Sequence, residues 1–420
     1  MMTDTRRTFL HRTGGWFATG AMGSCLQVHA DVTRSGQVFE GMAIPPRQGV
    51  QEVTLVNAPQ DGYWMFLGEN SRLVRKVSHD GGRSWSDSEM LRSNRGNPIV
   101  LARDTAHLSL LLLKSGMMAI VYGGPAARPG RDGTVLYRTS EDGITWSEAI
   151  EIDPLFAVCR TQAARVLSSG RIVVPVMKWI SPFSGGESED GDKSLCYSWV
   201  YYSDDEGQTW HRSLSELFVA LDEGLRGVTH FEETVLEECP DGTLLMLGRT
   251  ELGQIYKSHS RDQGISWTHP VPTGLASSYA PSTLIRIPRT GDLLLVWNQV
   301  SADEIKAGLH RHRLSMAIST DQGETWKHFQ NLEALDNRVR IEVPSGQPNV
   351  IRMKEYGYRQ PDPRQYPNAP GCLRICYATV AFSGDEVAIC YDYGYGVGVF
   401  KNAHATRTRI YTLDGLYRRA

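Results

Sequence analysis

Six glycines, Gly62, Gly116, Gly170, Gly242, Gly291 and Gly384, each separate two apolar runs. Ten residues before them stand Glu52, Ala106, Arg160, Glu232, Pro281 and Arg374, with His107 directly after Ala106 and Tyr377 three residues after Arg374. Ala106 and Pro281 are what a purely structural position would carry. The other four are ionisable. If the fold sets these positions on one ring, carboxylates and guanidiniums share a small volume, with an imidazole and a phenol beside them. Burial and mutual contact then tune their pKa values, which is the usual condition of a site that moves protons or holds an anion.

The elements that would build such a ring are repeated hairpins. The runs are "VQEVTLVNAPQDGYWMFLGE", "HLSLLLLKSGMMAIVYGG", "TQAARVLSSGRIVVPVMKW", "EETVLEECPDGTLLMLGR", "PSTLIRIPRTGDLLLVWN" and "CYATVAFSGDEVAICYDYG". They are short, rich in Val, Leu and Ile, and bounded by turn residues, as strands are. After five of them comes Ser-x-Asp-x-Gly-x-Thr/Ser-Trp: "SHDGGRSW", the shorter "SEDGITW", "SDDEGQTW", "SRDQGISW" and "STDQGETW". The five tryptophans fall 61, 64, 57 and 59 residues apart, a period that marks a repeat architecture. Ser and Asp two apart bond nearby backbone amides and fix a turn, Gly supplies a positive φ, and Trp buries a large apolar area at the hairpin base. These aspartates read as turn holders, not as catalytic or calcium-binding groups.

Six inner hairpins and five outer ones predict an all-β fold, a six-bladed β-propeller, in which residues 31–420 form a single domain. The sixth blade lacks the Ser-Asp motif, and Arg407–Arg418 is its expected outer strand. Leu214–Gly224 is the best helix candidate. Two segments break the period: Ser181–Ser194, polar and acidic, and Asn337–Pro370, long, basic and proline-rich. A long ordered loop in a compact domain is either functional or a surface excursion, and both readings stand.

The formal charge of −3 and pI near 6.5 give no footprint for nucleic acid or an anionic membrane. Arg6 and Arg7 before "TFL", an apolar run from Gly14 to Leu26 and small residues before Asp31 read as a twin-arginine export signal over residues 1–30. Cys25 offers a poorer lipoprotein site. No later stretch approaches the roughly 18 apolar residues of a spanning helix. The expected location is periplasmic or secreted. Six cysteines follow residue 30, with no CxxC and no zinc-like spacing, so free buried thiols are expected over a disulfide framework.

On these motifs the chain resembles the sialidase (neuraminidase) superfamily, whose Asp boxes have the Ser-x-Asp-x-Gly-x-Thr-Trp form. The resemblance covers roughly residues 45 to 400. It implies an arginine trio for a substrate carboxylate, a tyrosine nucleophile paired with a glutamate, and an aspartate acid. "EETVLEECPDGTLLMLGR" matches the family's mid-chain pattern and puts the glutamate at Glu232 and one arginine at Arg249. The next arginine is Arg311, with Arg313 as fallback, and the tyrosine is Tyr377. The family's first-strand Arg-Ile-Pro has no counterpart. His107 stands there in one alignment and Glu52 in another; the first brings Asp132 near the position of the family's acid, with Asp104 as a weaker substitute. Arg160 is a further substrate-binding candidate.

The resemblance therefore implies a retaining exo-glycosidase. Arg249, Arg311, Arg160 and His107 would hold a glycan or glycoconjugate substrate. Tyr377 would attack, Glu232 would take the phenol's proton and Asp132 would protonate the leaving sugar. No metal or organic cofactor is required. The missing arginine leaves open a glycosidase acting on a different sugar, and a non-catalytic carbohydrate-binding propeller is the remaining alternative.

Overall fold

In a computed structural model of the protein the described residues are 41–42, 47–48, 53–58, 62–102, 107–125, 133–153, 158–180, 195–222, 224–343, 349–367, 369, 372–396 and 403–418. The leader with Arg6, Arg7 and Cys25, the residues Glu52, Asp104, Ala106 and Asp132, and the 181–194 loop lie outside them.

Six antiparallel sheets form the six blades of a β-propeller. Their inner strands are Thr54–Asn57, Leu108–Leu112, Arg165–Val166 with Val158–Cys159, Glu232–Glu238, Thr283–Arg286 and Cys372–Ser383. All six turn glycines between the first and second strands have positive φ. The sixth blade is closed by both ends of the chain: Glu386–Gly396 pairs with Ala403–Thr412, and that strand pairs in turn with Gly41–Met42 and Arg47–Gln48. An outer edge that would otherwise be open is thereby covered. The last strand starts earlier than the sequence indicates and ends at Thr412, where its hydroxyl caps a short helical turn, Leu413–Leu416.

The described residues of the helix candidate Leu214–Gly224 are not helical. Leu217, Val219 and Leu221 are buried, and their neighbours Phe218 and Ala220 only partly so. That period of two belongs to an extended chain, and Val219–Ala220 pairs with Val228–Thr229.

The Asp boxes space the blades. In "STDQGETW" the Ser319 hydroxyl donates to Asp321 at 2.8 Å and accepts from the Gly323 amide at 2.8 Å, while Asp321 accepts from the Thr325 amide at 2.8 Å. The other four boxes repeat these bonds. Burial works against the Asp321 charge, but the hydrogen bonds from Thr325 and Ser319 outweigh it and hold its pKa below the usual value. A Cβ on Gly323 would lie 2.4 Å from Leu245 in the preceding blade, so the tip is a contact surface as well as a turn. Trp326 joins the core of that same blade, and Trp267 and Trp146 do likewise one and three blades earlier. Asp321→Ala is expected to cost about 1–2 kcal/mol in chemical denaturation and to leave any activity unchanged.

Among the described residues the inner strands are also stitched by polar groups. The Gln162 amide donates to the carbonyls of Leu55 (2.6 Å) and Val380 (2.9 Å), tying the third blade to the first and sixth. Cys159, Cys196, Cys239, Cys376 and Cys390 are buried and form no disulfide among the described residues. No described helix is long and apolar enough to cross a membrane.

Candidate active site

Two irregular strands place the chemistry. The fourth blade's inner strand carries a bulge between Glu232 and Val235, with Glu233 at φ +45°. A regular strand points successive side chains to opposite faces. Here the bulge lets both carboxylates reach Arg249, at 3.1 Å for Glu232 and 2.8 Å for Glu233. The sixth blade's inner strand has a second bulge between Cys376 and Thr379, with Tyr377 at φ +56°. Left-handed backbone at a glutamate and a tyrosine is strained and collects where a side chain must be aimed.

Tyr377 is half-buried and has three guanidiniums about it: Arg160 at 4.6 Å from the ring centre, Arg311 at 5.4 Å and Arg374 at 5.6 Å. Arg160 also contacts the His107 ring at 3.4 Å and Glu233 at 3.6 Å. Arg374 pairs with Asp392 at 2.7 Å. Arg311 and Arg374 are backbone neighbours across the seam of blades five and six, where the Ile375 amide donates to the Arg311 carbonyl at 2.9 Å.

Arg311 differs from the other three arginines. It is only 4% exposed, yet no carboxylate among the described residues lies within ion-pair distance. It donates to the Cys376 sulfur at 3.3 Å and to the Tyr279 carbonyl at 3.2 Å, and its Nε has no hydrogen-bond partner. Burial opposes its charge, but Cys376, the phenols of Tyr358 and Tyr377, and Glu233 hold its pKa well above the ordinary guanidinium value. A buried cation without a counter-ion is costly to a fold.

Glu232 faces a different phenol. It is fully buried and accepts from the Tyr279 hydroxyl, while Arg249 lies 3.8 Å over the Tyr279 ring. His230 sits behind this pair: its Nδ1 accepts from the Cys196 amide at 2.9 Å, and its Nε2 is 3.4 Å from Glu251. Glu233 shares a neighbour with Tyr377 through Arg160, as Asp392 does through Arg374.

The sequence-derived candidates thus converge in large part. Tyr377, Arg160, Arg311 and His107 form one cluster, and Arg249 joins it to Glu232 through Glu233. Glu232 reaches Tyr279 where Tyr377 was expected. Arg249 is closed between two glutamates and is not the open guanidinium expected of a substrate clamp. Arg313 is fully buried against Glu304 (3.1 Å) and Asp336 (2.7 Å), a structural network next to Arg311. Asp132 lies outside the described residues. Sequence reading gave no role to Glu233, Tyr279, Arg374 or Tyr358. Arg374 was on the counted ring, and Tyr279 stands two residues before the ring position at Pro281. Tyr358 comes from the long loop after the fifth blade, where no periodicity marks it.

A model of the BNR repeat-like domain matches residues 129–365, more than half of the chain. No curated protein matches it in sequence. Among solved structures, a protein of unknown function from Dyadobacter fermentans superposes with a TM-score of 0.56 at 17% identity, covering 89% of this chain and 99% of its own. A Trypanosoma rangeli sialidase in complex with 2-keto-3-deoxy-D-glycero-D-galacto-2,3-difluoro-nononic acid gives 0.53 at 14% identity, over 88% of this chain and 54% of its own. The NanB sialidase of Streptococcus pneumoniae gives 0.55 at 11%, over 91% and 71%. This chain therefore spans about half the length of the trypanosomal enzyme, and likeness at these identities concerns the fold.

Proposed function

We propose, from the premise that the chain belongs to the family of BNR repeat-like domains, that it is a retaining exo-glycosidase releasing a terminal acidic sugar, sialic acid or a related acid, from a glycan. The observation that carries this reading is Arg311, a buried guanidinium that has no carboxylate partner among the described residues and lies beside a half-buried phenol. An arginine binds a carboxylate in two-pronged fashion and does not lose its charge. Arg311 and its neighbour Arg374 would hold the sugar's carboxylate, and Arg160 with His107 would line the other side of Tyr377.

The chemistry follows from the charge of the substrate. A carboxylate nucleophile would be repelled by a sugar acid, whereas a neutral phenol is not. Free phenol, with a pKa near 10, needs a base. Glu233, 3.6 Å from the Arg160 that lies over the Tyr377 ring, is the base in this reading, with Glu232 as the sequence-based alternative. The Tyr377 oxygen then bonds to the anomeric carbon as the glycosidic bond breaks, and the leaving oxygen takes a proton from Asp132. Water then attacks the anomeric carbon and gives a proton to the Asp132 carboxylate, while the bond to Tyr377 breaks and the phenol oxygen takes back its proton from the glutamate. Export by the Arg6–Arg7 leader would bring the enzyme to glycans outside the cytoplasm.

One observation favours a second reading. The family's first-strand arginine has no counterpart in the sequence, and His107, which stands there in one alignment, lies against Arg160, which favours a glycosidase of the same fold acting on a different sugar. A panel of 4-methylumbelliferyl glycosides separates the readings. The account expects turnover of the sialoside or another acidic glycoside and none of neutral hexosides. Turnover of neutral glycosides only would end the acidic-sugar reading, and binding without turnover of any would leave a carbohydrate-binding propeller.

A further inference from the structure

Of the four arginines at this site, three are met by carboxylates. Arg249 lies between Glu232 (3.1 Å) and Glu233 (2.8 Å), Arg160 lies 3.6 Å from Glu233, and Arg374 pairs with Asp392 at 2.7 Å. Arg311 is held by a sulfur and a peptide oxygen instead. One terminal nitrogen donates to Cys376 at 3.3 Å and the other to the Tyr279 carbonyl at 3.2 Å. Cys376 is fully buried and directly precedes Tyr377 at the bulge. Asp392 stands opposite Cys376 in the register of the two strands, yet its ion pair is with Arg374. A guanidinium has five N–H donors. With one spent on the sulfur and one on the carbonyl, three are left at Arg311 with no acceptor among the described residues, and the buried Nε–H is one of them. Two-pronged binding of a carboxylate takes two.

We propose that Cys376 is a positioning residue for the substrate carboxylate: its sulfur ties down one arm of Arg311 and leaves the rest of that guanidinium open to the anion. A thiol sulfur is a weak, uncharged acceptor. It restrains the side chain and competes little with an anion for the remaining N–H groups. A carboxylate in its place would close the fork, as Asp392 closes on Arg374 and two glutamates close on Arg249. A cation that keeps its charge but not its freedom to swing is preorganised, which lowers the cost of binding. The tie also couples recognition to attack, because the residue that aims the cation and the phenol proposed to react are neighbours on one bulged strand.

This inference rests on the acidic-sugar reading, and the test separates the two. N-acetylneuraminic acid and its carboxyl methyl ester are titrated calorimetrically into the whole protein, Cys376→Asp and Cys376→Ala, and each protein is melted. A packing role for Cys376 would lower the melting point and leave the ratio of the two affinities unchanged. The account expects the wild type to prefer the acid. Cys376→Asp should lose about 100-fold or more of that preference, because it gives Arg311 a counter-ion and sets a like charge against the ligand. Cys376→Ala leaves the arm untied and should lose roughly tenfold, the size of one hydrogen bond to a charged group. A preference kept in either folded variant overturns the inference and leaves the acidic-sugar reading intact; if Cys376→Asp does not fold, Cys376→Ala decides. A wild type that binds the acid no better than the ester overturns both.

Discussion

Tyr377→Phe is expected to lower turnover of the best acidic glycoside by at least about 10³-fold, because the atom proposed to bond to the sugar is gone. The ring remains, and with it the faces turned toward Arg160, Arg311 and Arg374. Binding of the sugar acid and the denaturation midpoint should therefore change little, by about 1 kcal/mol or less. Tyr279→Phe should behave in the opposite way. Its hydroxyl is a donor to the fully buried Glu232, and its loss should cost about 1–3 kcal/mol of stability with turnover largely kept. The same comparison sorts the glutamates. Glu233→Gln should reduce turnover more than Glu232→Gln, since Glu233 is the one joined to Tyr377 through Arg160. A reversed order in both pairs would make Tyr279 and Glu232 the reacting dyad.

Arg311→Met is expected to abolish recognition of the acid without unfolding the protein, and this combination separates a waiting anion site from a structural ion pair. Arg311 is a buried cation with no carboxylate beside it among the described residues, and Arg374 next to it repels it. Methionine fills much of the volume and removes the charge. The stability should stay within about 1 kcal/mol of the wild type or rise. Arg374→Met removes the guanidinium 2.7 Å from Asp392, which is itself buried, and leaves that carboxylate in a low dielectric. Its expected cost is about 3–5 kcal/mol. Both variants should lose roughly 10²-fold or more in kcat/KM on the acidic substrate, by analogy with the removal of one preorganised charge-stabilising donor. Circular-dichroism melts and steady-state kinetics on the same samples give the comparison. A strongly destabilised Arg311→Met would show that Arg311 serves the fold.

The repeats were legible in the sequence because each one is locally complete. A Ser, an Asp and a Gly within five residues close their own hydrogen bonds, so the motif means the same turn wherever it occurs. The six inner hairpins are legible for a similar reason, since their turn glycines all carry positive φ. The ring count then reached Arg160, Glu232 and Arg374, and Tyr377 three residues on. It could not see that bulges at Glu233 and Tyr377 shift which side chain faces the centre. A bulge is settled by what the neighbouring blade presents, and a single sequence shows no such pairing. Leu214–Gly224 reads as a helix because Leu, Glu and Ala fit one by propensity, while the burial of every second residue is a tertiary choice. The closure of the sixth blade by Gly41–Met42 and Arg47–Gln48 pairs residues more than 350 apart and has no local signal.

The most direct test of the central claim, a phenol nucleophile at position 377, is a trapping experiment. The protein is incubated with 2,3-difluorosialic acid, digested, and its peptides are sequenced by mass spectrometry. The account predicts a sugar adduct on Tyr377 that is absent from Tyr377→Phe. An adduct on Tyr279, or turnover of an acidic glycoside that persists in Tyr377→Phe, would contradict it.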